Sequence, residues 1–162
     1  SSLQPRSIFF LVENAASPPF AALLLAFNAA LVEEIAYRLF GITWLRSLRF
    51  PLWAAVLVPS IVFGLTHATA AFLPLADPWW GRAVVMTAVG IVWGAALVRY
   101  DALTLVLGHW FADLVFFQWP RVATGDATIL ATTAAVLLVP LIPGLVAGIA
   151  WMRARNASST SS

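Results

Sequence analysis

The chain has 162 residues, of which 62% are hydrophobic and 10% charged, with a net charge of +2. Mean hydropathy is +0.91, and a soluble domain of 17.5 kDa could not hide that much apolar surface in a single core. The basic excess comes from nine arginines and no lysine, too few and too scattered for nucleic-acid binding, and the absence of cysteine excludes disulfides, thiolate catalysis and cysteine-ligated metal.

The composition predicts an all-α, polytopic membrane helix bundle of about five transmembrane helices, each needing ~20 apolar residues to span. Residues 1–17 lack a signal-peptide pattern and are expected to lie at the interface. Residues 18–152 form one transmembrane domain, and the polar residues in 153–162 suggest a disordered tail. The first span, Pro18 to Leu45, carries Glu33, Glu34 and Arg38 and ends at a basic turn, Arg46 to Pro51. From Phe20 to Val32 it holds no charge and one polar side chain, Asn28. The second span runs from Leu52 to Leu73 and contains Phe63 and His67, followed by a Pro74–Trp80 loop. The third, Ala83 to Val98, is 16 uncharged residues between Arg82 and Arg99, short for a span. The fourth, Leu103 to Trp119, contains His109 and Asp113. The fifth, Ala127 to Met152, is uncharged, with Pro140 and Pro143 expected to kink it.

Two carboxylates in the first span are an energetic anomaly, because an ionisable group at that depth costs roughly 3 kcal/mol or more. Arginine counts at the loop ends favour the side of Arg46, Arg49, Arg99, Arg153 and Arg155 as cytoplasmic over that of Arg6, Arg82 and Arg121. At ~1.5 Å per residue, Glu33 lies ~20 Å before Arg46, His67 ~24 Å after Pro51, and His109 ~15 Å after Arg99, so the three converge in depth. On an α-helix, Glu34 and Arg38 share a face and can pair, whereas Glu33 points ~100° away without a sequence-local partner. A carboxylate left without one suits a general base or acid. The same four-residue spacing puts the Phe63 ring beneath His67 and lets Asp113 orient His109. The tryptophans read mainly as interfacial anchors, Trp79, Trp80 and Trp119 especially. Asn28, Ser60, Thr66 and Gln118 read as hydrogen-bonding contacts between helices.

The three patterns together, E-E-x-x-x-R (Glu33, Glu34, Arg38), F-x-x-x-H (Phe63, His67) and H-x-x-x-D (His109, Asp113), resemble the motifs of the type II CAAX prenyl endopeptidase and bacteriocin-processing family. The resemblance covers roughly residues 20–118 and rests on motif order across successive apolar segments. It implies a metal-independent, glutamate-dependent intramembrane peptidase without cofactor. In that reading Glu33 activates water with help from His67, His109 faces the developing oxyanion, and Glu34, Arg38, Phe63 and Asp113 support them. The family's third motif commonly ends in Asn. Asp113 departs from it, and a carboxylate donates a hydrogen bond only when protonated.

Other chemistries find less in the sequence. No H-E-x-x-H, G-x-S-x-G or G-x-G-D pattern is present. Zinc on Glu33, His67 and His109 is the second reading of the mechanism. A non-proteolytic immunity or scaffold protein is the alternative outside enzymology, and a proton-coupled transporter is disfavoured by the lack of an internal repeat. The expected partners are membrane lipid and a protein or peptide substrate, lipidated or bearing a transmembrane tail, with no nucleic acid. The expected location is a bacterial inner membrane, multi-pass. A CAAX-like terminus, a bacteriocin leader and a C-terminal sorting signal all remain open as substrates.

Overall fold

A computed structural model describes residues 8–69 and 78–159. Among the described residues there are helices and turns and no strand. The elements are α1 (Ile8–Glu13), α2 (Pro18–Glu33), a π-helical segment (Glu34–Phe40), α3 (Gly41–Ser47), α4 (Leu52–Thr69), α5 (Trp79–Arg99), α6 (Ala102–Val122), α7 (Ala127–Leu138), a short 3-10 turn (Val139–Leu141) and α8 (Ile142–Ser159). Among the described residues, five stretches are long and apolar enough to cross a membrane: Pro18–Ser47, Leu52–Thr69, Trp80–Arg99, Ala102–Val122 and Ala127–Arg153. The protein is therefore an integral, multi-pass membrane protein.

The third span reaches well beyond its uncharged stretch, because Arg82 and Arg99 lie inside the helix near its two ends. Near helix ends a long arginine stem can carry its charge towards the interface, so the charge does not stop the helix. The fifth span breaks at Val139–Leu141, where Pro140 removes a backbone donor, in keeping with the expected kink. Helix α8 continues to Ser159, through residues read from sequence as the start of a disordered tail; Ala154 and Arg155 are good helix formers that prolong a helix already nucleated. Most of the Pro74–Trp80 loop, and the second span beyond Thr69, lie outside the described residues.

Ends are set by local chemistry. Arg49, at φ 67, turns the chain in the left-handed region after α3, and Phe50 N–H bonds back to the Leu45 carbonyl at 3.1 Å. The Arg46 guanidinium donates to the Phe50 carbonyl at 2.8 Å, closing the basic turn ahead of Pro51. Asp101 caps α6 by accepting from the Thr104 N–H at 2.7 Å and its hydroxyl at 2.8 Å, and these bonds hold its carboxyl below the usual range.

Two seams place the site. On α2, Ala22, Ala26 and Ala30 recur every four residues and are fully buried; the first two pack on Leu114 and Phe117 of α6 and on Val12 of α1. The large residues of α2, such as Phe20 and Leu24, face outwards, as expected where lipid replaces water. The α4–α5 seam is built on missing side chains. A Cβ on Gly64 would collide with the Thr87 hydroxyl and the Ala83 carbonyl, and one on Gly90 would lie 3.0 Å from the Ser60 Cβ. One on Gly94 would meet Val56 at 2.8 Å. Ser60-x-x-x-Gly64 and Gly90-x-x-x-Gly94 thus face each other as small-residue stripes that let the backbones close up.

Candidate active site

The first span changes its winding where its charges begin. From Glu34 to Phe40 the turns are π-helical, and the Gly41 N–H reaches the Ala36 carbonyl five residues back. Such wide turns are rare and concentrate at functional sites. The two glutamates, adjacent in sequence, here meet the same imidazole at its opposite nitrogens. His109 Nδ1 donates to Glu34 Oε1 at 2.6 Å, while His109 Nε2 lies 3.7 Å from Glu33 Oε2. Glu34 pairs with Arg38 and Glu33 turns to His67 and His109, as the spacing suggests, but Glu34 also reaches His109, which the spacing does not show. Glu33 and Glu34 converge on His109, which α6 presents from 75 residues further along.

Arg38 is provided for by a carboxylate and by a ring. Its Nη1 is 3.3 Å from Glu34 Oε1, with both side chains 2% exposed. Its guanidinium carbon stands 4.1 Å over the centroid of the Phe63 ring. Neither Arg38 Nη makes a hydrogen bond, nor does Glu34 Oε2. Phe63 is buried and also packs edge-on to Tyr37 (5.3 Å) and against the His67 ring (4.2 Å). Tyr37 is tied to α4 through a 3.0 Å hydrogen bond between its hydroxyl and that of Thr66.

His67 has a fixed orientation. Its Nδ1 is 2.9 Å from the Phe63 carbonyl, which can only accept, so Nδ1 carries hydrogen. Its Nε2 then faces Glu33 Oε1 at 3.5 Å. In the neutral imidazole that nitrogen is a lone pair turned to a carboxylate, and a water molecule beside them can donate to both. Asp113 Oδ2 reaches His109 Nε2 at 3.4 Å, as the four-residue spacing predicts. That nitrogen is shared with Glu33, so Asp113 borders the reactive pair, while Glu34 holds the other nitrogen.

These groups open on a cavity of about 840 Å³ between α2, α4, α5 and α6. Glu33, His67, His109 and Asp113 line it, with Arg82 as a further charge, and the rest of its wall is apolar. Glu33 and Asp113, at 22% and 26% exposure, face this space, whereas Glu34 does not. Trp93 of α5 stacks on His109 at 5.5 Å and 16°. Sequence reading missed this ring, since nothing in its spacing separates it from the interfacial tryptophans; Trp53, Trp80 and Trp119 are well exposed. Trp110, next to His109, packs on Phe27 and donates to the Leu23 carbonyl at 3.0 Å. Among the described residues, no three His, Cys, Asp or Glu side chains are disposed to hold a metal ion.

All the residues singled out by spacing, Glu33, Glu34, Arg38, Phe63, His67, His109 and Asp113, therefore meet around one cavity wall and the layer behind it. A family model described as type II CAAX prenyl endopeptidase Rce1-like matches residues 15–115. No curated protein and no solved structure matches the chain.

Proposed function

The chain belongs to the type II CAAX prenyl endopeptidase Rce1-like family, and from that premise we propose that it is an intramembrane endopeptidase of the glutamic type. Its substrate is a membrane-associated protein or peptide. One observation carries this reading: Glu33, from α2, meets His67 of α4 at 3.5 Å and His109 of α6 at 3.7 Å on the wall of an otherwise mainly apolar cavity.

A water held between Glu33 Oε1 and His67 Nε2 gives a proton to Glu33, and its oxygen attacks the carbonyl carbon of the scissile amide. The C=O electrons move onto oxygen, which faces Nε2–H of His109 in its doubly protonated form, Nδ1–H being given to Glu34; donors aimed at such an oxyanion are often worth about 3 kcal/mol each. Collapse of the adduct breaks the C–N bond, and the Glu33 proton passes to the leaving amine. One water is consumed and one peptide bond is lost. Glu34 serves by accepting from His109 Nδ1, which leaves Nε2 as the edge presented to the oxyanion. The cycle uses no metal. A bacterial inner membrane is the setting we infer.

The test is cleavage by purified protein in vesicles. Glu33→Gln, His67→Ala and His109→Ala each lose about 10²-fold or more of kcat, the usual scale for a lost acid–base group. Wild-type-like cleavage by Glu33→Gln defeats the mechanism.

A further inference from the structure

The pairing of α4 with α5 leaves a second hollow, which shares no lining residue with the cavity of Glu33 and His67. Its volume is about 500 Å³, and its walls run from Leu52 and Trp53 to Leu57 on α4 and from Val98 through Ala95 to Ile91 on α5. Leu52, Trp53, Ile91 and Val98 are exposed, so the hollow is a groove on the outside of the bundle. The α5 residues recur at steps of three and four and form one stripe of that helix, with Ala95 the smallest side chain of the lining. From Val98 to Ile91 the groove descends about 10 Å at ~1.5 Å per residue. One leaflet's share of a ~30 Å hydrocarbon core is ~15 Å. The groove therefore stays within a single leaflet, the reach of a lipid tail rather than of a membrane-crossing helix.

Its loop end is basic. Arg46 and Arg49 lie in the turn that leads into Leu52, and Arg99 directly follows Val98. Leu97 packs on the cluster of Ile42, Leu45 and Ala55, which brings the turn after α3 beside the end of α5. All three arginines are exposed, and none of them forms an ion pair among the described residues. Arg46 is committed to the Phe50 carbonyl. Arg49 and Arg99 remain for an external anion. Asp101, at the same end, is bonded to Thr104. Beside these charges Trp53 and Tyr100 are 70% and 65% exposed, and such rings settle at the level of lipid headgroups. The arginines thus stand at phosphate depth, with the groove in the acyl layer beneath them.

We propose that this groove is a binding site for one anionic phospholipid of that leaflet, with an acyl chain along Ala95 and the phosphate held by Arg49 and Arg99. The hydrophobic effect does not choose the occupant, because the surrounding lipid tails are as apolar as the groove. Charge chooses it. Arginines at a membrane surface favour acidic headgroups, and a guanidinium fork matches phosphate oxygens with two parallel hydrogen bonds. A second copy docked here about a two-fold axis would set its own arginines against these at the same level, which charge opposes. The bound lipid joins the turn after α3 to the end of α5, and it does so whether or not the chain hydrolyses peptides.

The probe is phosphatidylglycerol with a photoactivatable diazirine midway along one acyl chain, at low mole fraction in phosphatidylcholine vesicles that hold the full chain. After illumination, mass spectrometry should find the adducts concentrated on residues 52–57 and 91–98. Unlabelled phosphatidylglycerol should displace the probe about 30-fold better than phosphatidylcholine with the same acyl chains, which is about 5-fold for each of two arginines. Arg49→Gln and Arg99→Gln should each lower that preference about 5-fold, and the pair should bring it close to one. The corresponding pair of lysine substitutions should keep part of it. Ala95→Trp fills the groove without touching the arginines and should remove the adducts there, with circular dichroism and Tm showing that each variant is folded. Adducts spread evenly over all the spans, equal displacement by the two lipids, a preference indifferent to the arginine pair, or groove adducts that survive in folded Ala95→Trp each overturn the proposal. So does displacement by soluble glycerol phosphate as strong as that by phosphatidylglycerol, which would leave a surface anion site and no lipid site. The chain has no cysteine of its own, so ready disulfide dimerisation of Ala95→Cys would assign the groove to a second copy and overturn it too.

Discussion

Glu34→Gln separates the two adjacent glutamates. The substitution keeps shape and an accepting oxygen for His109 Nδ1 but removes the charge that Arg38 faces at 3.3 Å. Arg38 is 1% exposed and neither Nη has a hydrogen bond to fall back on, so it becomes a buried cation with only the Phe63 face beneath it. Breaking a buried pair by removing one partner costs about 3–5 kcal/mol. For a chain of this size that corresponds to roughly 6–20 °C in Tm. Thermal unfolding followed by tryptophan fluorescence in detergent measures it, with cleavage assayed in parallel. Glu33→Gln should stay within a few degrees of wild type while losing turnover, because Glu33 faces the cavity and the direct ion pair of Arg38 is with Glu34. Replacing both members of the buried pair with apolar residues, Glu34→Leu with Arg38→Met, should restore most of the Tm and none of the activity. Apolar replacement of a buried pair is often neutral or better, yet His109 Nδ1 would then lose the acceptor that Glu34→Gln keeps. A Glu34→Gln protein with wild-type Tm would refute the account of Arg38.

Phe63→Ala removes the ring shared by Arg38, Tyr37 and His67, and should cost about 3–5 kcal/mol in unfolding experiments. Gly64→Val forces a side chain into Thr87 and the Ala83 carbonyl; we expect at least the 1–3 kcal/mol of an overpacked core, and more where backbone must move, read as a lower Tm or loss of folded protein. Trp93→Ala should lower kcat while leaving folding largely intact, since its ring steadies His109 from the cavity side; an unchanged kcat would show the stack to be incidental. Cleavage should persist after exhaustive treatment with a strong chelator, and loss of activity restored by zinc would move the mechanism to the metal reading.

The fold was legible because lipid imposes a simple rule: long apolar runs become helices, and charges inside them stand out. Glu33, Glu34, Arg38, His67, His109 and Asp113 were found that way, through spacing and motif order. Their partners were only half legible. The Glu34–Arg38 and His109–Asp113 contacts follow local spacing, whereas the Glu34–His109 bond links two spans and depends on how they pack. The π-helical turns, which begin at Glu34, had no sequence signal that we recognised. Trp93 and the facing glycine stripes of α4 and α5 likewise act only through tertiary contact. A pattern of period 3.6 records which residues share a face; it cannot record a change of winding within the face.

Charge balance then gives Asp113 a consequence of its own. Glu33, Glu34 and Asp113 surround two imidazoles and one guanidinium in a setting where net charge is expensive. Three carboxylates against Arg38 leave two negative charges, which two protons shared among the five titratable groups cancel. With asparagine at position 113, one bound proton would suffice. Asp113→Asn should therefore keep cleavage, since the amide still offers an oxygen to His109 Nε2 and adds an N–H for the oxyanion, but the pH profile of its kcat should differ from that of wild type. The pH profiles of wild type and variant, measured side by side in the same vesicles, decide the matter. Superimposable profiles would mean that Asp113 takes no part in the proton inventory and that the site balances its charge elsewhere.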